Sequence, residues 1–283
     1  MIPNLDRVAD IICEVAEREL VPKFTTLTAD EIGEKSPGDF VTAVDLAMEK
    51  ALGEQLVPLM PGSLVVGEEA VHEDANRLKL LEGDAPVWVL DPLDGTGNFA
   101  QGMPIVAVIV ALVIKGETVA GWIYDPLSRR MAMCAKGEGT YMNGRQMWVA
   151  RPPEDRSLNG AIYGRFVRWS EAYSDLYGRG RGRMGLVFNA RCVGQEYLSR
   201  LMGRTNFGVY TRLNPWDHAA GVLLHQEAGG IARLGDGQPY KPSERGFCCM
   251  LTPDEDLWQT MHRELITPAM AEEALREAEK AKG

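Results

Sequence analysis

The chain has 283 residues, 45% of them apolar and 25% charged, which excludes a disordered, collagen-like or low-complexity polymer and leaves room for about two domains. Lysine and arginine total 30 against 40 aspartates and glutamates, so the net charge is −10 and neither nucleic acid nor an anionic membrane is an expected partner. The longest apolar run, residues 103–114, is well short of the ~20 residues that span a bilayer, and no basic stretch followed by an apolar one marks a leader at the N-terminus.

In chain order, Leu5, Val8, Ile11, Ile12, Val15 and Ala16 recur at helical spacing and predict a helix over 4–20. Residues 25–39 are polar, with Gly33, Pro37 and Gly38, and read as a loop or hairpin. A second helix is expected over 44–56, ended near Pro58 and Pro61. Strands follow at 63–67, 87–90, 104–114, 118–124, 131–135 and 139–142, so the first half reads as two helices against a mostly antiparallel sheet. The polar, proline-bearing segment 151–157 suggests a boundary between an N-terminal half, 1–150, and a C-terminal half, 151–283. Strands near 160–165, 184–189 and 206–211 then alternate with helices near 170–178 and 194–203. A helix over 216–228 is stopped by Gly229 and Gly230. Strands at 231–234 and 246–251 and a helical tail from 253 complete the chain. Cys13, Cys134, Cys192, Cys248 and Cys249 are odd in number and lack metal-type spacing, so reduced thiols in a cytoplasmic protein are expected.

Chemistry concentrates in three segments. In Asp91-Pro92-Leu93-Asp94-Gly95-Thr96-Gly97-Asn98-Phe99, two carboxylates sit three residues apart where an apolar strand ends. Such a pair is costly unless it is neutralised, and no lysine or arginine lies between Glu82 and Ile114. Oxygen-only donors suit Mg²⁺, Mn²⁺ or Ca²⁺. Gly67-Glu68-Glu69 repeats the theme at another strand end, and Asp217 stands at a helix start in Pro215-Trp216-Asp217-His218-Ala219-Ala220-Gly221.

Together with Asp39-Phe40-Val41-Thr42-Ala43-Val44-Asp45 and Glu227-Ala228-Gly229-Gly230, these segments resemble, in order, the motifs of the inositol monophosphatase family of Mg²⁺-dependent, commonly lithium-sensitive phosphatases. The resemblance implies an α/β fold, a layered αβαβα sandwich of the inositol monophosphatase and fructose-1,6-bisphosphatase type, and a homodimer. It implies two to three Mg²⁺ per site, with Mn²⁺ as a substitute. Glu68, Asp91 and the Leu93 carbonyl would hold one ion. Asp91, Asp94 and Asp217 would hold a second, and Glu68 a third. Asp45 and Thr96 would activate the attacking water, the Gly95 and Thr96 amides would take phosphate oxygens, and Lys35 would sit in a loop over the site. An empty site of four carboxylates repels a phosphate monoester of charge about −2, so cation and substrate binding must be linked. His218 is expected to pack or hydrogen-bond rather than act as a base.

The substrate side departs from the pattern of inositol-specific members. Gly194 is followed by Gln195 and Glu196 rather than small residues, and Tyr210 replaces a polyol-binding glutamate. Gln195, Glu196, Tyr210 and Arg212 are therefore the candidate substrate contacts. The expected function is hydrolysis of a small phosphorylated metabolite, inositol 1-phosphate first. Histidinol phosphate, fructose 1,6-bisphosphate and 3′-phosphorylated nucleotides or NADP are alternatives. A role as a regulatory module bound to RNA polymerase or to ribosome maturation is an alternative of another class.

Overall fold

The computed structural model describes residues 2–36, 39–152, 157–162, 184–244, 246–267 and 270. Helix α1 (Leu5–Val15) is capped by Asn4, whose side chain accepts the Arg7 N–H, and runs on through a π turn to Leu20. Helix α2 (Ala43–Leu56) opens with a capping box: Thr42 Oγ1 accepts the Val44 N–H, and Asp45 Oδ2 accepts the Thr42 N–H. The segment read as a loop or hairpin is a hairpin, β1 (Ile32–Ser36) against β2 (Asp39–Thr42).

Seven strands form one sheet in chain order: β3 (Leu64–Gly67), β4 (Val87–Asp94), β5 (Ala107–Ile114), β6 (Glu117–Asp125), β7 (Arg130–Ala135), β8 (Thr140–Met142) and β9 (Arg145–Met147). Only β3 and β4 pair parallel. A short helix, α3 (Glu68–Glu73), follows β3, and α4 (Thr96–Ala100) follows β4. The second sheet runs β11 (Met184–Phe188), β10 (Leu158–Ile162), β12 (Phe207–Tyr210), β14 (Cys249–Thr252), β13 (Ile231–Leu234). Between the sheets lie α5 (Val193–Leu201) and α6 (Pro215–Glu227), and α7 (Glu255–Met261) follows β14.

Strand alternation sorts the cores. Trp88, Leu90, Val108, Val110, Leu112 and Trp122 pack with α1 and α2. Val87, Val89, Ile109, Ala111, Val113 and Ile123 face the other way, onto α5, α6 and the inner face of the second sheet. Phe207, Val209 and Met250 turn outward, onto α7. The order of layers is helix, sheet, helix, sheet, helix, the sandwich that the resemblance implied.

Strand β4 continues past the expected stop at Leu90. Asp91 pairs with Ile109 and Asp94 with Ala107, so one extra residue bulges at Pro92 and Leu93, where proline has no N–H to give the ladder. Strand β9, helix α3 and the β1–β2 pairing lack the length or pattern that sequence periodicity needs. The helix expected near 170–178, residues 163–165 of the strand expected near 160–165, and residues 271–283 lie outside the described residues. All five cysteines are free, and among the described residues no helix is long and apolar enough to cross a membrane.

Candidate active site

The bulge delivers the acidic motif to the seam between the large sheet and α6. Asp91 keeps the alternation of Val87 and Val89 and so faces α6. Burial, then the charges of Glu68, Asp94, Asp217 and Asp45, pushes its carboxyl well above the usual range. Asp94 Oδ2 accepts the Gly194 N–H and the Cys192 thiol at 3.2 Å, and burial still raises its pKa to about 6. Gly95 turns the chain at φ 90°, and a Cβ there would lie 2.7 Å from the Ile105 carbonyl oxygen, so only glycine fits. Thr96 Oγ1 lies 3.0 Å from Asp45 Oδ1 and 2.9 Å from the Leu93 carbonyl oxygen. The structure thus joins Asp45 on α2 to Thr96 on α4. Burial pushes Asp45 up to about 7, against hydrogen bonds from Thr42 and Thr96.

Glu68 stands at the start of α3, an end braced by Glu49 of α2, which accepts the Glu69 and Ala70 N–H groups at 2.9 and 3.0 Å. Sequence reading missed Glu49 because nothing near it marks a site. Lys35 reaches over from β1, and its buried ammonium donates to Glu68 Oε1 at 2.9 Å and Glu69 Oε1 at 2.6 Å. Burial alone would lower the Lys35 pKa, but the two carboxylates outweigh it and raise it above its ordinary value. The local sequence around residues 82–114 offers no cation, and this lysine arrives from elsewhere in the chain.

Asp217 lies in the first turn of α6, where a negative charge meets the positive end of the helix. Its Oδ2 accepts the Asn214 amide at 3.0 Å. Burial, then Glu68 and Asp94, drives its carboxyl well above the usual range, while Arg212 pulls it back. His218 is sealed: its Nε2 donates to the Arg212 carbonyl at 2.9 Å and its Nδ1 accepts the Tyr197 hydroxyl at 3.0 Å. Burial lowers its pKa to about 4, so it is a neutral packing group, as expected.

Of the four expected substrate contacts, only Tyr210 and Arg212 border the cleft. Gln195 instead donates its amide to the Val106 carbonyl at 2.8 Å. Glu196 is buried, accepting the Ala190 N–H and the Tyr210 hydroxyl, each at 2.9 Å. Both are scaffold here, because successive residues of a helix turn by about 100° and those after Gly194 point away from the cleft. The Tyr210 hydroxyl is also engaged: it accepts from buried Arg200 Nη1 at 2.8 Å while donating to Glu196. Arg200 lies 4.5 Å from the Tyr197 ring centroid, which adds cation–π attraction to the pair.

Glu68, Asp91, Leu93, Asp94, Gly95, Thr96, Tyr210, Arg212 and Asp217 line one cleft of about 350 Å³. Protein donors engage one oxygen of each of the four carboxylates: Lys35 on Glu68, the Leu93 N–H on Asp91 at 3.2 Å, Gly194 on Asp94 and Asn214 on Asp217. The four carboxylates and the Leu93 carbonyl make an oxygen-only donor set braced by these bonds, the chemistry that hard divalent cations take. Among the described residues, no three acidic, histidine or cysteine side chains already close into a cation cage. The donor set fits the group in kind and in placement on one cleft.

The model of the inositol monophosphatase family matches residues 4–273 of this chain. The chain belongs to that family. A fructose-1,6-bisphosphatase/inositol-1-monophosphatase of Aquifex aeolicus is 30% identical over 240 residues, 84% of this chain and 88% of the relative. Nus factor SuhB of Escherichia coli K12 is 33% identical over 220 residues, 75% of this chain and 78% of that protein. Among solved structures, a staphylococcal inositol monophosphatase II with 2′-AMP bound superposes with a TM-score of 0.74 at 21% identity, covering 98% of each chain. Members of the inositol monophosphatase family are phosphatases, and this chain takes that activity class, phosphoric monoester hydrolysis.

Proposed function

We propose that the cleft hydrolyses a small phosphate monoester with water as the nucleophile. The observation that carries the reading is that four carboxylates line one cleft together with Thr96, whose hydroxyl meets buried Asp45. In this reading Glu68, Asp91 and the Leu93 carbonyl hold one divalent cation, Asp91, Asp94 and Asp217 a second, and Glu68 a third. Mg²⁺ is the ion proposed first, with Mn²⁺ as substitute and Li⁺ as inhibitor. Bound there, such cations neutralise the phosphate, lower the pKa of water and stabilise the leaving oxygen. Thr96 Oγ1 orients the attacking water, and Asp45 takes its proton. The Gly95 and Thr96 amides hold phosphate oxygens, and the P–O ester bond breaks as the new one forms, releasing the alcohol. The Lys35 ammonium holds Glu68 Oε1 from behind and leaves Oε2 for the cation.

Inositol 1-phosphate is the first substrate proposed, in a homodimeric cytoplasmic enzyme. The engaged Tyr210 hydroxyl weakens polyol reading at that wall, and Arg212 favours an alcohol that carries an anionic group. Phosphate release from inositol, histidinol, sugar bisphosphate and 3′-nucleotide substrates in Mg²⁺ tests the reading. Turnover of one of them is the expected result. Inactivity across the panel with Mg²⁺ bound would favour instead a regulatory role, the reading to which similarity with SuhB points.

A further inference from the structure

The backbone of Arg191 is pinned where its side chain enters the cleft, and no role above uses its guanidinium. Its backbone is left-handed, φ 53°, a region that side chains other than glycine leave unless held. The holding is explicit. Its N–H donates to Asn189 Oδ1 at 2.8 Å. Buried Asn98 ties the loop to the end of β4: its amide donates to the Ile105 and Ala190 carbonyls, each at 2.9 Å, with the Arg191 carbonyl 3.4 Å away. The Ala190 N–H is fixed in turn by buried Glu196. The side chain then crosses Gly97, where an added Cβ would meet Nη2 at 2.8 Å. Arg191 therefore borders the Gly95–Gly97 backbone and lines the same cleft as the four carboxylates. Among the described residues no carboxylate forms an ion pair with it.

We propose that Arg191 is a phosphate-binding residue: its guanidinium donates to a non-bridging oxygen of the phosphoryl group seated on the Gly95 and Thr96 amides. The inference rests on the phosphatase reading and adds a fixed positive group to it, one whose planar donors match phosphate geometry. The glycine at 97 is what lets the guanidinium lie so close to the cradle.

The test compares wild type with Arg191→Met, Arg191→Lys and Gly97→Ala, the last keeping the arginine while placing a methyl group where Nη2 lies. Binding of inorganic phosphate is titrated by calorimetry in excess Mg²⁺, and KM is measured for several monoesters. Arg191→Met is expected to weaken inorganic phosphate about tenfold or more. Arg191→Lys should recover part of that loss, and Gly97→Ala should lie between wild type and Arg191→Met. KM should rise by a similar factor whatever the alcohol. Phosphate affinity unchanged in Arg191→Met and Gly97→Ala overturns the proposal. So does a loss confined to substrates with a second anionic group, or a wild type that binds no phosphate. A wild type that binds phosphate but hydrolyses nothing overturns the phosphatase reading alone, and the titration still decides the role of Arg191.

Discussion

Asp45 is asked to be buried and to hold a proton only part of the time. In the cation-free protein, burial pushes its pKa up to about 7. Divalent cations bound beside it would lower that value, so turnover should already be level at pH 7, and Asp45→Asn should lower kcat by at least ~100-fold, as read in a pH–rate profile. Without cations, the folded pKa exceeds the ordinary value of 3.8, so the folded state binds more protons than the unfolded chain between the two, and stability falls as pH rises through that window. Asp45→Asn, with no charge to bury, should melt above wild type at pH 8. Thr96→Ala should lower kcat far more than it lowers Mg²⁺ affinity, and calorimetry beside kinetics separates the two. Asp45 and Thr96 were legible because their motifs are specific, although nothing in sequence says that residues 51 positions apart touch. Gln195 and Glu196 were misread because proximity to Gly194 in sequence carries no information about where a helical side chain points.

At the level of elements, the cleft depends on how closely α6 approaches the large sheet. A Cβ on Gly121 of β6 would lie 2.9 Å from the Ala220 Cα, a backbone atom that cannot swing aside. Gly121→Ala should therefore cost about 1–3 kcal/mol, seen as a lower Tm, and weaken divalent-cation binding by displacing the helix that carries Asp217. The end of β4 makes the reverse prediction. Asp91 is buried among like charges, so Asp91→Asn should raise the Tm of the cation-free protein while abolishing turnover, measured by calorimetry in chelator and by phosphate release. The long helices and the apolar strands were readable from their periods. The bulge at Pro92 and Leu93 was not, because it is defined by pairing with β5. The six residues of α3 are too few to show a period, so its bracing by Glu49 was invisible as well.

Across the whole molecule, the strands of the large sheet end at Met147, yet much of one face of that sheet packs on helices made later. Val87, Val89, Ile109, Ala111, Val113 and Ile123 meet Ala219, Ala220, Val222 and Leu223 of α6. A fragment of residues 1–150 should therefore bind the dye ANS and aggregate, whereas the full chain should not. The resemblance implied the layers, but not which strand residues face the middle one. The bond from the Gly194 N–H to Asp94 spans a hundred positions of sequence, and it has a consequence in time. As the ribosome makes this chain from its N-terminus, the acids of β4 emerge long before the loop and helix that complete their surroundings. The cleft is thus among the last parts of the molecule to come into being, and a chain cut short at any point before α6 should be inert rather than partly competent.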